Sequence, residues 1–140
     1  MPAPCYEHFE HQADMGVRGF GRTCEEAFEQ VGLALTSVVV LPELVRARES
    51  VAVCCSAGDI ELVLLDWLSA VVYQMAARRM IFNQFKVRIQ GMRLEGEMFG
   101  ESLDVARHQP GVEVKAATAT SLRVAQLADG TWLAQCVVDV

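Results

Sequence analysis

Basic residues are scarce in this chain. Twelve Lys and Arg stand against eighteen Asp and Glu, a formal charge of −6. That balance excludes a general nucleic-acid clamp, whose phosphate contacts reward a basic surface, so any RNA contact is expected to come through a partner. A C-x-x-C pair is also missing. The five cysteines follow no framework spacing, and the adjacent Cys54 and Cys55 cannot ordinarily bridge each other, so reduced thiols and a cytoplasmic location are expected. The opening Met1-Pro2-Ala3-Pro4 has neither the basic start nor the apolar run of a targeting segment. The most hydrophobic stretch, Val31 to Leu41, is too short to span a bilayer. Ile60 to Met75 is interrupted by Glu61 and Asp66 and followed by Arg78-Arg79, so it reads as a core helix, and no membrane partner is expected. There is no Gly-rich phosphate loop, no nucleophile elbow and no acid–histidine pair at motif spacing. The chain lacks a self-sufficient catalytic constellation and is not expected to be an enzyme.

What is present suits one domain, residues 1–140, with half its residues apolar and about a fifth charged. Cys5 to His11 and Met15 to Arg22 read as two short strands around a Gln12-Ala13-Asp14 turn. Thr23 followed by Glu26 forms a capping box, and Cys24, Ala27, Phe28, Val31, Leu35 and Val38 recur at helical spacing up to Pro42. Ser50 to Ser56 reads as a Val- and Cys-rich strand. Asp59 caps a second helix, whose wide ridge from Ile60 to Met75 suggests the central buried element. Phe82–Gln90 and Arg93–Glu101 suit an antiparallel pair turned near Gly91. Ser102 to Gly111 reads as a polar loop and Val112 to Thr118 as an alternating strand. Leu122–Ala128 and Thr131–Asp139 suit a hairpin across Asp129-Gly130. The expected class is α+β, with two main helices packed on a mixed, largely antiparallel sheet.

Three polar clusters break the apolar pattern: His8 to Asp14, His108 to Lys115, and Asp139-Val140. The last is the most pointed, because a buried strand ends in two anionic oxygen donors, the Asp139 side chain and the Val140 α-carboxylate. Asp14 alone is a plausible turn aspartate and Asp139 alone a solvated chain end. Together they offer the hard oxygen donors that calcium or magnesium takes. Joint zinc or iron ligation by His8, His11 and His108 is disfavoured, because His8 and His11 point to opposite faces of a regular strand. His11 suits instead a residue that orients a carboxylate. Lys115, in phase with Glu113, is either a surface salt-bridge lysine or a cation beside the acids, holding a phosphate or a partner's carboxylate.

At these clusters the chain resembles the archease family over nearly its whole length. The matching segments are Tyr6-Glu7-His8, His11-Gln12-Ala13-Asp14-Met15-Gly16, Thr23 to Phe28, Leu65-Asp66-Trp67-Leu68, Arg107-His108, Gly111-Val112-Glu113-Val114-Lys115-Ala116 and Val138-Asp139-Val140. The resemblance implies a protein cofactor of the GTP-dependent RNA ligase that joins 3′-phosphate to 5′-hydroxyl ends in tRNA splicing and RNA repair. Such a cofactor promotes ligase guanylylation and turnover. It further implies calcium (magnesium or manganese being alternatives) at Asp14, Asp139 and the terminal Val140, and an essential lysine at Lys115, with His11 and His108 as supporting residues. Two positions depart from the family's pattern: Gln12, where threonine is usual, and Arg78-Arg79, where acidic residues or glycine are common. The rival expectations are a chaperone-like interaction module with a purely structural calcium site, and a free-standing metal hydrolase, which lacks a general base.

Overall fold

The structure is a computed structural model describing residues 3–140. Over these residues the elements run β1 (Cys5–His11), β2 (Asp14–Gly21), α1 (Cys24–Val39), β3 (Glu49–Ser56), α2 (Ile60–Arg78), β4 (Met80–Gln90), β5 (Arg93–Ser102), α3 (Val105–His108), β6 (Ala116–Gln126) and β7 (Trp132–Asp139), with a 3-10 turn at Pro42–Leu44. The strands form two sheets, β1-β2-β7-β6 and β3-β5-β4. Every ladder is antiparallel, so the α+β class holds while the single mixed sheet becomes two separate antiparallel ones.

Both helices start where their caps dictate. The Glu26 N–H donates to Thr23 Oγ1 at 3.1 Å and the Leu62 N–H to Asp59 Oδ1 at 2.9 Å, each occupying an otherwise orphaned first-turn amide. The Glu26 carboxylate reaches back to the Arg22 N–H, one residue before the cap. The helix at the centre is α1 and not α2. α1 buries Ala27, Phe28, Val31, Ala34 and Leu35 completely and joins both sheets. Gly19 of β2 comes so close to the Ala27 and Val31 backbone that a Cβ there would collide with it. On its other side, the Thr36 hydroxyl donates to the Phe82 carbonyl of β4 at 2.7 Å. α2 buries Val63, Leu64, Trp67, Leu68 and Val71 but leaves Leu62 43% and Tyr73 66% exposed. Its apolar ridge is too wide to be covered from one side. By length and composition alone α2 could cross a membrane, a test that a core helix also passes. One contiguous core runs through both sheets and both helices.

The segment before β6 also differs from expectation. Residues 112–115 are not strand. Val114 is buried but Val112 is 51% exposed, so their spacing of two did not mark a shared face. The cause is local anchoring: the Gly111 N–H donates to the Val39 carbonyl at 2.7 Å, which draws this stretch onto the end of α1. β6 then runs unbroken from Ala116 to Gln126, with a register shift between Thr118 and Arg123 where Ser121 takes φ 54°. Within the polar loop, Asp104 caps the short α3 by accepting from the Ala106 and Arg107 N–H groups.

Candidate functional site

The β1–β2 hairpin closes with His11 opposite Asp14 and with Gln12 in the left-handed region at φ 54°. A β-branched threonine would be more strained on that backbone than Gln12 is. β2 continues with Met15 opposite Val138 of β7, and β7 with Asp139 opposite Ala116 of β6. Asp14 immediately precedes Met15 and Asp139 immediately follows Val138, so the two acids fall at the same end of the β2–β7 ladder. Directly opposed cross-strand residues share a face, with Cβ atoms about 5 Å apart. His11, Asp14, Asp139 and Ala116 therefore form one row across the four-stranded sheet. That face points away from α1, since Gly19, on the alternate phase of β2, meets the helix.

Beside this row lies an unsatisfied polar atom. His11 Nδ1 is buried and has no hydrogen-bond partner, a costly state unless something else completes it. Neither acid has an ion-pair partner among the described residues. Two carboxylates without ion-pair partners, on residues of one cross-strand row, are oxygen donors of the type a hard divalent cation takes. No three His, Cys, Asp or Glu side chains converge among the described residues. A cation here would take Asp14 and Asp139 as its side-chain ligands and complete its shell from main-chain oxygens, the Val140 carboxylate and water. The Val140 side chain packs partly against the core, which orders the last residue.

Lys115 is not a mid-strand residue. It stands just before β6, and its main-chain N–H donates to the Asp139 carbonyl at 2.8 Å. Its side chain is exposed, has no ion-pair partner among the described residues, and lines a cleft of about 320 Å³ with Ser69, Val72, Tyr73, Ala76, Ala116 and Ala117. The lysine is thus bound by its backbone to the acid-bearing strand while its amine is free on the side facing α2.

The histidines occupy separate environments. His8 Nε2 lies 2.8 Å from both the Ala34 carbonyl and Ser37 Oγ of α1. His108 is buried with both nitrogens engaged: Nδ1 accepts from the Asp104 N–H at 2.8 Å, which leaves Nε2 to donate to Glu101 at 2.9 Å. His108 therefore steadies the loop through Glu101, and its bonds go to neither Asp14 nor Asp139. Glu101 is the residue that sequence reasoning missed. It shares the phase of the solvent-facing Arg93, Glu95 and Glu97, yet it is only 5% exposed, because α3 folds Arg107 and His108 over it. It also accepts from the Arg46 N–H at 2.7 Å. The Arg107 hydrogen bond holds its carboxyl at about 2 although burial opposes the charge. The basic Arg107-His108 pair a few residues after Glu101 was the available signal. The cysteines are free, and burial pushes the thiols of Cys24 and Cys55 up to about 11 and that of Cys136 to about 12. Those three are inert hydrophobes and not nucleophiles.

The profile of the Archease protein family (MTH1598/TM1083) matches residues 6–140. The chain is 41% identical to protein archease of Thermococcus gammatolerans and 37% identical to that of Pyrococcus furiosus, in each case over 96% of this chain and 98% of the relative. The solution structure of protein 1598 from Methanobacterium thermoautotrophicum superposes with a TM-score of 0.82 at 28% identity, covering 96% of this chain and 98% of that one. The crystal structure of an archease and possible chaperone from Thermotoga maritima shares the fold alone, with a TM-score of 0.58 at 15% identity over 94% of each chain. With a profile match across almost every residue and relatives above 30% identity along their full length, this chain belongs to the archease family.

Proposed function

We propose that this protein is a non-catalytic activator of the GTP-dependent RNA ligase that joins 3′-phosphate to 5′-hydroxyl ends in tRNA splicing and RNA repair. It promotes guanylylation and multiple turnover by presenting a cation-loaded acidic tip beside Lys115 to the ligase active site. The observation that carries this reading is the shared end of β2, β7 and β6, where Asp14 and Asp139 fall in one row and Lys115 is tied to Asp139. Asp14, Asp139 and the Val140 α-carboxylate would hold the cation, with calcium expected and magnesium or manganese as alternatives. His11, with a free buried nitrogen, orients the carboxylate row. A bound divalent cation supplies charge neutralisation for clustered acids and phosphates and polarises a phosphoryl group. Lys115 provides a second, fixed positive charge from the neighbouring strand entry, suited to a nucleotide phosphate or a ligase carboxylate. RNA is met only through the ligase, in the cytoplasm.

The test is ligase guanylylation in vitro with the wild-type protein and with Asp14→Ala, Asp139→Ala and Lys115→Ala. Each variant is expected to fold and to lose stimulation. Full stimulation by all three folded variants overturns the proposal.

A second reading, a chaperone-like interaction module with a structural metal, draws on the exposed Leu41, Tyr73 and Val112. Thermal melts with calcium and with a chelator separate the two. A large stability change combined with ligase stimulation that ignores the metal favours the structural role.

A further inference from the structure

A second cleft adjoins that of Lys115. It encloses about 400 Å³ between the end of α2 and residues 110–114, and Val39, Met75, Ile81, Leu103 and Val114 contribute to its apolar lining. Val72 and Ala76 line both clefts, so the two share a wall on α2. Each also includes a large apolar side chain left in solvent, Val112 at 51% exposure in one and Tyr73 at 66% in the other. The result is a continuous apolar strip along one side of α2.

The charges around this strip run against the balance of the chain. Acids outnumber bases eighteen to twelve overall, yet Arg79 and Lys115 line the clefts, with Arg78 next to Arg79, against the single acid Glu113. None of these four has an ion-pair partner among the described residues. Arg79 is also fixed in place. Its N–H donates to the Met75 carbonyl, its own carbonyl accepts from the Leu103 N–H at 2.8 Å, and its backbone is left-handed at φ 52°. That conformation costs an L side chain energy, and such costs gather where a side chain has a task. On the opposite wall, the Gly111 bond to Val39 holds the segment that leads from Val112 to Lys115. A partner that meets the Lys115 amine is thereby brought against the apolar strip.

We infer, resting on the ligase reading above, that the two clefts are the docking surface for an acidic, apolar segment of the ligase. Its apolar side chains enter beside Val72 and Ala76, and its carboxylates meet Arg78 and Arg79. Continuity with the Lys115 cleft selects the ligase as the occupant, and the unpaired cations select an acidic segment. An apolar floor offers nothing to a phosphate backbone, which disfavours RNA in the same place. Docking and activation are then divided. The clefts supply affinity, through buried apolar anchors and a cationic rim, whereas the acidic tip and the Lys115 amine supply stimulation.

The experiment is ligase guanylylation at rising concentrations of the full chain, at low and at high salt, with Arg79→Glu and Ala76→Trp beside the wild type. Arg79→Glu reverses the charge while keeping a side chain on the left-handed backbone. Ala76→Trp fills the shared wall from an exposed helical position. Both are expected to fold by circular dichroism and to reach the wild-type plateau only at concentrations raised on the order of tenfold. High salt should narrow the gap for Arg79→Glu, because it screens the rim charges, and not for Ala76→Trp. A stimulating wild type with half-saturation unmoved in either folded variant overturns the inference and leaves the ligase reading standing. So does a lowered plateau at unchanged half-saturation, which would place the clefts in activation. A wild type that never stimulates overturns the ligase reading itself, and the inference with it. If Ala76→Trp fails to fold, Arg79→Glu and its salt dependence decide.

Discussion

The Lys115 main-chain N–H donates to the Asp139 carbonyl at 2.8 Å. This bond separates what the lysine contributes to structure from what its amine offers a partner, because the backbone alone anchors it.

Lys115→Ala keeps the amide hydrogen, so the unfolding free energy should change by less than about 0.5 kcal/mol, while ligase guanylylation is no longer stimulated. Lys115→Pro removes the donor as well and should cost about 1 kcal/mol on top. Urea titrations of both variants beside the guanylylation assay check the separation. Equal stability losses in the two would show that the amine, and not the amide, holds this segment.

Val140 offers a second separation. A short C-terminal extension leaves its side chain packed against the core but converts the α-carboxylate to an amide, so melting should barely move while stimulation falls. Deleting Val140 should cost in addition about 1 kcal/mol for lost half-buried apolar surface. Normal stimulation by an extended protein would show that the free carboxylate is dispensable.

The Glu101 network predicts an acid dependence of stability. Its folded-state carboxyl sits at about 2, below the ordinary 4.5. The unfolded chain therefore takes up a proton first, and the stabilisation is complete above about 4.5 and lost as pH falls towards 2. Glu101→Gln should flatten the stability profile over that window. At neutral pH it should cost about 1–3 kcal/mol, because the amide oxygen can accept from only one of His108 and Arg107 and the charge facing Arg107 is lost. Chemical denaturation of both proteins across the acid range is the measurement. A parallel fall in the two would assign the acid sensitivity to other carboxylates.

Arg79 closes α2 in the left-handed conformation, φ 52° and ψ 50°, with its N–H donating to the Met75 carbonyl. A glycine adopts this conformation without the Cβ penalty. Arg79→Gly should therefore raise stability by about 0.5–1 kcal/mol in guanidinium titrations. A loss would mean that the aliphatic part of Arg79, which lines the second cleft, separate from that of Lys115, with Met75 and Leu103, matters more than its backbone strain.

Much of the fold was legible because its signals are short-range. Thr23 and Asp59 mark helix starts through side chains that reach amides three residues away, and Gly91 and Gly130 mark turns through their positive φ. The failures share a physical cause. Val112 and Val114 alternate like a strand, but the Gly111 bond to Val39 diverts that segment, and no local pattern encodes a tie between residues so far apart in the chain. Glu101 sits in a solvent-facing phase and is buried by a loop that folds back over it. α2 is apolar around most of its circumference, and only the placement of α1 between the sheets decides which helix is central.

The candidate site divides along the same line. Composition and alternation by themselves placed Asp14 in the turn just before a strand and Asp139 at the end of another; the structure makes Asp14 the first residue of β2. Whether two acids from opposite ends of the chain stand together depends on which strands become neighbours. That choice follows from how the inner faces of β2 and β7 pack with α1 into one core. Only the order β1-β2-β7-β6 aligns His11, Asp14 and Asp139 in a single row and ties Lys115 to its end. A strand's sequence specifies the face its side chains take, whereas its register against a distant strand is set by long-range burial.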